Sequence, residues 1–241
     1  ATMTVTVDPH YNISSSEGVV LSPKTTDDSG VPIVLSGKVT LPTMVDGKKV
    51  VAISGFNKHN VTHLFWRDDN GDNPYLRTIR ANCFQSKGIQ YFEFTSGLRR
   101  IETAAFQGGP SSYKISDPRV FELLGESPLI ELEGNAMSNA ANFEFLPVLK
   151  LRGTVRNIGR FALMFSIYKD NAIGLLQIGS PEEPSELQVC GEPSREGILC
   201  SDDSYKKFFT KAVIYKKTGV FVDSVIDGIL LLETIPEIVN C

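Results

Sequence analysis

The sequence predicts a mainly β fold: a short solenoid of about five coils, two short strands per coil, closed by β-rich caps at its N-terminal and C-terminal ends. Three observations predict it. A phrase of the form L-x-x-I-x-x-x-A-F recurs along the chain, an apolar triplet recurs between its copies, and the flanking segments are patterned without repeating. A recurrence every ~20–50 residues marks a stacked-repeat protein, in which no unit buries its apolar edge alone.

Residues 1–36 are polar and turn-rich, with alternating strands at Thr2–Val7 and Val19–Leu21 and a turn at Asp27-Asp-Ser-Gly30; they read as an N-terminal β arm or cap. Residues 37–180 form the repeat array. Its phrase is clear at Leu76-Arg-Thr-Ile79-Arg-Ala-Asn-Cys83-Phe84 and at Leu98-Arg-Arg-Ile101-Glu-Thr-Ala-Ala105-Phe106. Looser copies run from Leu129 to Met137 and from Val155 to Leu163, and a decayed first copy opens at Val50-Val-Ala-Ile53. The triplet, at relative positions 1, 4 and 6, reads Val61/Leu64/Trp66, Ile89/Phe92/Phe94, Leu146/Leu149/Leu151 and Ile173/Leu176/Ile178. Its last two members alternate as a strand does, so the residue between them faces the other way. The small residue of each phrase (Cys83, Ala105, Ala136, Ala162) marks a crowded corner, and the large apolar residue after it fills the interior. In the third repeat Pro110 takes the first triplet position, and an extra stretch, 117–127, lengthens the step. Residues 181–203, rich in Gly and Pro, read as a loop, and 204–241 as a C-terminal cap.

The I-x-x-x-A-F phrase followed by an I-x-x-I-x-I strand resembles the BspA-like class of leucine-rich repeat. Val39-Thr-Leu-Pro-Thr-Met-Val-Asp-Gly-Lys-Lys-Val-Val-Ala-Ile53 is similar to the segment that introduces the first repeat in that family, and Ala212-Val-Ile-Tyr215 with Ile229–Ile238 to its closing segment. The resemblance implies a leucine-rich-repeat solenoid used for adhesion or protein interaction. It implies a bacterial or protist surface or a phage particle as its setting, and no shared catalytic residue. The chain opens without a basic-then-apolar leader pattern, so synthesis in the cytoplasm without a signal peptide is a second expectation beside the cell surface or virion.

Composition narrows the function further. Net charge is −4 with Lys and Arg scattered, which disfavours the phosphate neutralisation that nucleic-acid binding requires. No apolar run reaches the ~20 residues that span a bilayer. There is no G-x-S-x-G, no cysteine–histidine signature and no phosphate-binding glycine motif, so neither a catalytic residue nor a cofactor is predicted. His59 and His63 have the i, i+4 spacing that converges on a metal only along a helix; here they enter a strand and read as surface histidines. Asp68-Asp-Asn-Gly-Asp72-Asn-Pro74 lacks the glycine and glutamate of a calcium loop and reads as a turn, and no metal is predicted. Cys83 reads as a small buried hydrophobe. Cys190 and Cys200 flank a loop and can pair only if geometry allows.

What remains is surface. Phe65, Glu93, Lys150 and Gln177 hold the outward position 5 of successive triplets, so stacking predicts a ladder, with Tyr75 and Tyr91 beside its first half. These six residues are the candidate contact patch for a protein, or a glycan, since aromatic anchors dominate binding hot spots. The expected function is a non-catalytic recognition module; the alternative is a structural component of a large assembly, such as a virion decoration, fibre or neck protein.

Overall fold

The apolar residues that close the L-x-x-I phrases lie opposite one another in adjacent parallel strands: Ile53, Ile79, Ile101, Leu132 and Ile158, with Leu21 before them and Cys190 after them, form one continuous column. All but Cys190, whose side chain is not described, are buried to 1% exposure or less. The computed structural model describes residues 5–8, 18–67, 71–142, 148–164, 174–190, 209–219 and 236–241. Its elements, in order, are β1 (Val5–Asp8), β2 (Gly18–Pro23), β3 (Ser36–Pro42), β4 (Met44–Val45), β5 (Lys48–Ile53) and β6 (Asn60–Arg67). Then come β7 (Thr78–Ile79), β8 (Tyr91–Phe92), β9 (Arg100–Ile101), helix α1 (Pro118–Glu126), β10 (Glu131–Leu132) and β11 (Val148–Leu151). β12 (Asn157–Ile158), β13 (Gly174–Ile178), β14 (Val189–Cys190), β15 (Phe209–Lys216) and β16 (Pro236–Asn240) complete the set.

Among the described residues these strands form three sheets. One has nine strands, ordered β1-β2-β5-β7-β9-β10-β12-β14 with β4 on β5; one has four, β11-β13-β15-β16; one has three, β3-β6-β8. Pairing is parallel except for β1 on β2 and β4 on β5.

This arrangement corrects the expectation of a mainly β leucine-rich-repeat solenoid with two strands in every coil and separate β caps. The chain is three mostly parallel sheets with a helix among them, an α/β-like arrangement. The triplet strands do not make one ladder, because the third repeat has no triplet strand. Pro110 cannot donate to a ladder, and only the isolated bridges Gly88↔Tyr113 and Ile115↔Ala141 link that stretch to its neighbours. The extra stretch then folds as α1. The Asp117 carboxylate accepts the N–H of Arg119 at the helix start, Pro118 sits in the first turn, and Val120, Phe121 and Leu124 turn inward. The helix packs on β11, where a Cβ on Gly125 would meet the Lys150 carbonyl at 2.5 Å. At the two ends β2, β15 and β16 continue the sheets edge to edge instead of closing them as independent units. Leu146, Ile173, Cys200 and Ile229 lie outside the described residues.

The corners repeat closely. Asn82, Ala104, Asn135 and Phe161 each stand three residues after the column residue, with φ of 61°, 57°, 57° and 55°, and turn the chain through the left-handed region. The peptide N–H groups of Asn82, Phe84 and Ser86 donate to the carbonyls of Thr103, Ala105 and Gln107 in the next copy, at 3.0, 2.6 and 2.8 Å. Ala104, Phe106 and Gly108 donate in the same sense to Gly134, Ala136 and Ser138, and Asn135, Met137 and Asn139 to Arg160, Ala162 and Met164. Cys83, Ala105, Ala136 and Ala162 are fully buried there. Behind them Phe84 stacks between Phe56 and Phe106 at centroid distances of 5.3 and 5.1 Å, with Phe92 edge-on to both Phe84 and Phe106. Each such side chain contributes about 1.5–3 kcal/mol by leaving water.

Candidate functional site

β6 alternates as its sequence dictates: Val61, Leu64 and Trp66 go to the core, while His63 and Phe65 stand half-buried on the other face. β8 lies beside it with His63 opposite Tyr91, and β3 places Lys38 opposite His63 on the other side. Three rings therefore meet. His63–Phe65, His63–Tyr91 and Phe65–Tyr91 centroids are 6.2, 6.1 and 5.4 Å apart, with ring planes within 18°, 23° and 33° of each other. A depression of about 520 Å³ opens above them, rimmed by Lys38, Gln90, Glu93, Ser116, Asp117 and Arg119.

The carboxylates around this depression are already committed. Asp117 holds Arg119 through three guanidinium contacts of 3.2, 3.0 and 2.6 Å, and this fixes the Arg119 guanidinium over the Tyr91 ring, 5.5 Å from its centre. The hydrogen bond from Arg119 keeps the Asp117 carboxyl below the ordinary carboxylate range. Glu93 accepts the N–H of Trp66; burial pushes its carboxyl upward, that hydrogen bond opposes the rise, and Asp72 adds to it. Burial raises the Tyr91 phenol, with Glu93 adding to the effect. His63 is held below its ordinary value by burial and then by Lys38, against a smaller opposite pull from Asp117. The imidazole is thus biased to its neutral form at pH 7.

The six predicted contact residues do not share one face. Phe65, Tyr91 and Glu93 belong to the three-stranded sheet, Glu93 donating its N–H to Leu64 as the next copy's continuation. Lys150 pairs with Gln177 in the four-stranded sheet, beyond α1. Tyr75 lies in the turn before β7, its ring under Lys49 Nζ at 5.0 Å. Lys150 instead lines a second depression of about 560 Å³ beside Phe121, Glu122, Glu126 and Val148. That one is slightly larger but gathers no ring cluster, so the three-ring face is the stronger candidate site.

His63, Lys38, Gln90, Asp117 and Arg119 were not among the predicted contacts. The first carried a signal: His63 and Tyr91 hold position 3 of successive triplets, outward like position 5. Asp117 and Arg119 come from the extra stretch, whose placement no repeat position indicates.

His59 corrects the reading of two surface histidines. It is fully buried, and Nδ1 accepts the N–H of Leu35 at 3.0 Å, which leaves the ring proton on Nε2. Burial holds its pKa down. Among the described residues no group of three or more His, Cys, Asp or Glu side chains is placed to hold a metal. Asp68 and Asp69 lie outside the described residues; Asp72 accepts from the Ser96 N–H at 2.9 Å, and buried Asn73 bonds the Val50 carbonyl and the Tyr75 N–H. Cys83 is buried, and burial pushes its thiol far above the ordinary value.

No family model, curated protein or solved structure matches this chain. No helix among the described residues is long and apolar enough to cross a membrane.

Proposed function

We propose that this chain is a non-catalytic recognition module of the adhesion type, and that its contact face is the His63–Phe65–Tyr91 cluster on the three-stranded sheet. One observation carries the reading. Three aromatic rings lie half-exposed at the floor of an open depression whose carboxylates are bound to neighbours, Asp117 to Arg119 and Glu93 to Trp66. Carboxylates already engaged in structure suit fixed contacts better, and amphipathic rings supply large contact area at low conformational cost. The resemblance of the repeated phrase to BspA-like sequences supports the same reading.

The test is crosslinking mass spectrometry on the native material with its associated proteins and glycans. The reading expects crosslinks gathered at Lys38 and Lys87, on the side of the ring cluster, and their loss in Phe65→Ala. Crosslinks gathered instead at Lys150 and Lys211 overturn it. Stoichiometric partners that build a particle move the function to a structural component of an assembly.

A further inference from the structure

We propose that the depression above β3, β6 and β8 is a saccharide-binding site, with the His63 and Phe65 rings as its floor and Gln90, Tyr91, Ser116 and Lys38 as its polar rim. This inference rests on the recognition reading above and names its partner class.

The ring geometry comes first. Planes within 18° to 33° of one another, with centroids 5.4 to 6.2 Å apart, describe near-parallel rings in an offset stack. A cage for a quaternary ammonium group needs ring walls turned toward one another around a central point. Near-parallel rings offer one apolar wall to the depression instead. A pyranose ring has a face of axial C–H groups that packs against aromatic surface, and an equatorial belt of hydroxyls that reaches outward to a rim.

The rim has the matching chemistry. The Gln90 amide, the Ser116 hydroxyl and the Tyr91 hydroxyl all border the depression. An amide and two hydroxyls both donate and accept, as the hydroxyl of a sugar does. Arg119 adds guanidinium donors, already oriented by Asp117 and by the Tyr91 ring beneath it, so little ordering remains to be done on binding.

Charge and size agree. Lys38 and Arg119 match Glu93 and Asp117 in number, two cations against two carboxylates, so the rim carries no formal net charge. A neutral, polyhydroxylated ligand suits that balance. The volume of about 520 Å³ falls within the roughly 300–1,000 Å³ of small-ligand sites.

The test is binding of the full chain to an immobilised array of neutral oligosaccharides, beside a matched array of unmodified peptides. The expected result is binding to a subset of the saccharides, weakened about tenfold or more by Phe65→Ala and by Tyr91→Phe, and unchanged by Gln177→Ala on the other sheet. Tyr91→Phe keeps the ring and its packing, so it reads the rim even where Phe65→Ala disturbs folding. Peptide binding that falls in Phe65→Ala, with no saccharide bound, overturns the saccharide assignment and leaves the recognition reading standing. Binding to neither array, or binding indifferent to all three substitutions, overturns both.

Discussion

The Trp66 indole donates to the main-chain carbonyl of Glu93 at 3.0 Å, and the Glu93 carboxylate accepts the main-chain N–H of Trp66 at 2.9 Å. Glu93 was predicted as an outward contact residue, yet it clamps the last core position of the preceding triplet. Glu93→Ala strands a buried N–H and is expected to cost about 1–3 kcal/mol. Glu93→Gln keeps an oxygen for that N–H and removes a carboxylate that burial disfavours, so its cost should be less than half as large. Urea denaturation followed through Trp66, the single tryptophan, measures both. Equal losses would show that the charge, and not the acceptor, matters.

Phe84 is the centre of the corner stack, packed against Phe56, Phe92 and Phe106. Phe84→Ala is expected to destabilise the chain by about 3–5 kcal/mol, the range for truncating a buried aromatic. A loss below about 1 kcal/mol in chemical denaturation would mean that the stack is loosely packed.

Gly88 precedes the Ile89 triplet at φ +64°, and a Cβ there would sit 2.0 Å from the Tyr113 carbonyl. Gly88→Ala forces both a left-handed alanine and a collision with backbone, so a loss well above about 1 kcal/mol is expected. Gly30→Ala is the control: its φ is +79°, but nothing lies within 4 Å of the new methyl. A comparable fall in melting temperature for the two would leave the collision without effect.

The Arg152 guanidinium lies 2.7 Å from Glu183, and that hydrogen bond holds the Glu183 carboxyl below its ordinary range. A lowered carboxyl binds fewer protons in the folded chain than in the unfolded one. Its contribution is therefore complete above the ordinary carboxylate range and is lost as pH falls from that range through the lowered folded value. Both side chains are about two-fifths exposed, so the contribution is that of a surface pair, about 0.2–1 kcal/mol. Glu183→Gln should be less stable than the parent at pH 7 and converge with it as pH falls below the ordinary carboxylate range. Curves that stay parallel below that range would exclude the pair as the cause.

The columns of Ile79, Ile101, Leu132 and Ile158 were legible in the sequence because a two-residue strand needs only one apolar residue at a fixed phase. The corner alanines were legible because crowding admits little else. The global arrangement was not, and α1 shows why. Asp117 as N-cap, Pro118 in the first turn and inward Val120, Phe121 and Leu124 form a complete helix signal, but it lay in what read as an extra stretch within a repeat. Missing that helix joined the triplet strands into one ladder and left Phe65 and Lys150 on a common face. The burial of His59 was illegible for a different reason. Its partner is the backbone N–H of Leu35, 24 residues away, and no side-chain pattern marks it.

The shared sense of the corner hydrogen bonds has an electrical consequence. From Asn82 through Asn139 the peptide dipoles on that wall point alike, each copy offering hydrogens forward and receiving them from behind. The wall is thus polarised along its length, somewhat as an α-helix is along its axis, and each link strengthens its neighbours. The two extremities are chemically unlike, so any chain that joins this wall must present carbonyl oxygens at one extremity and amide hydrogens at the other.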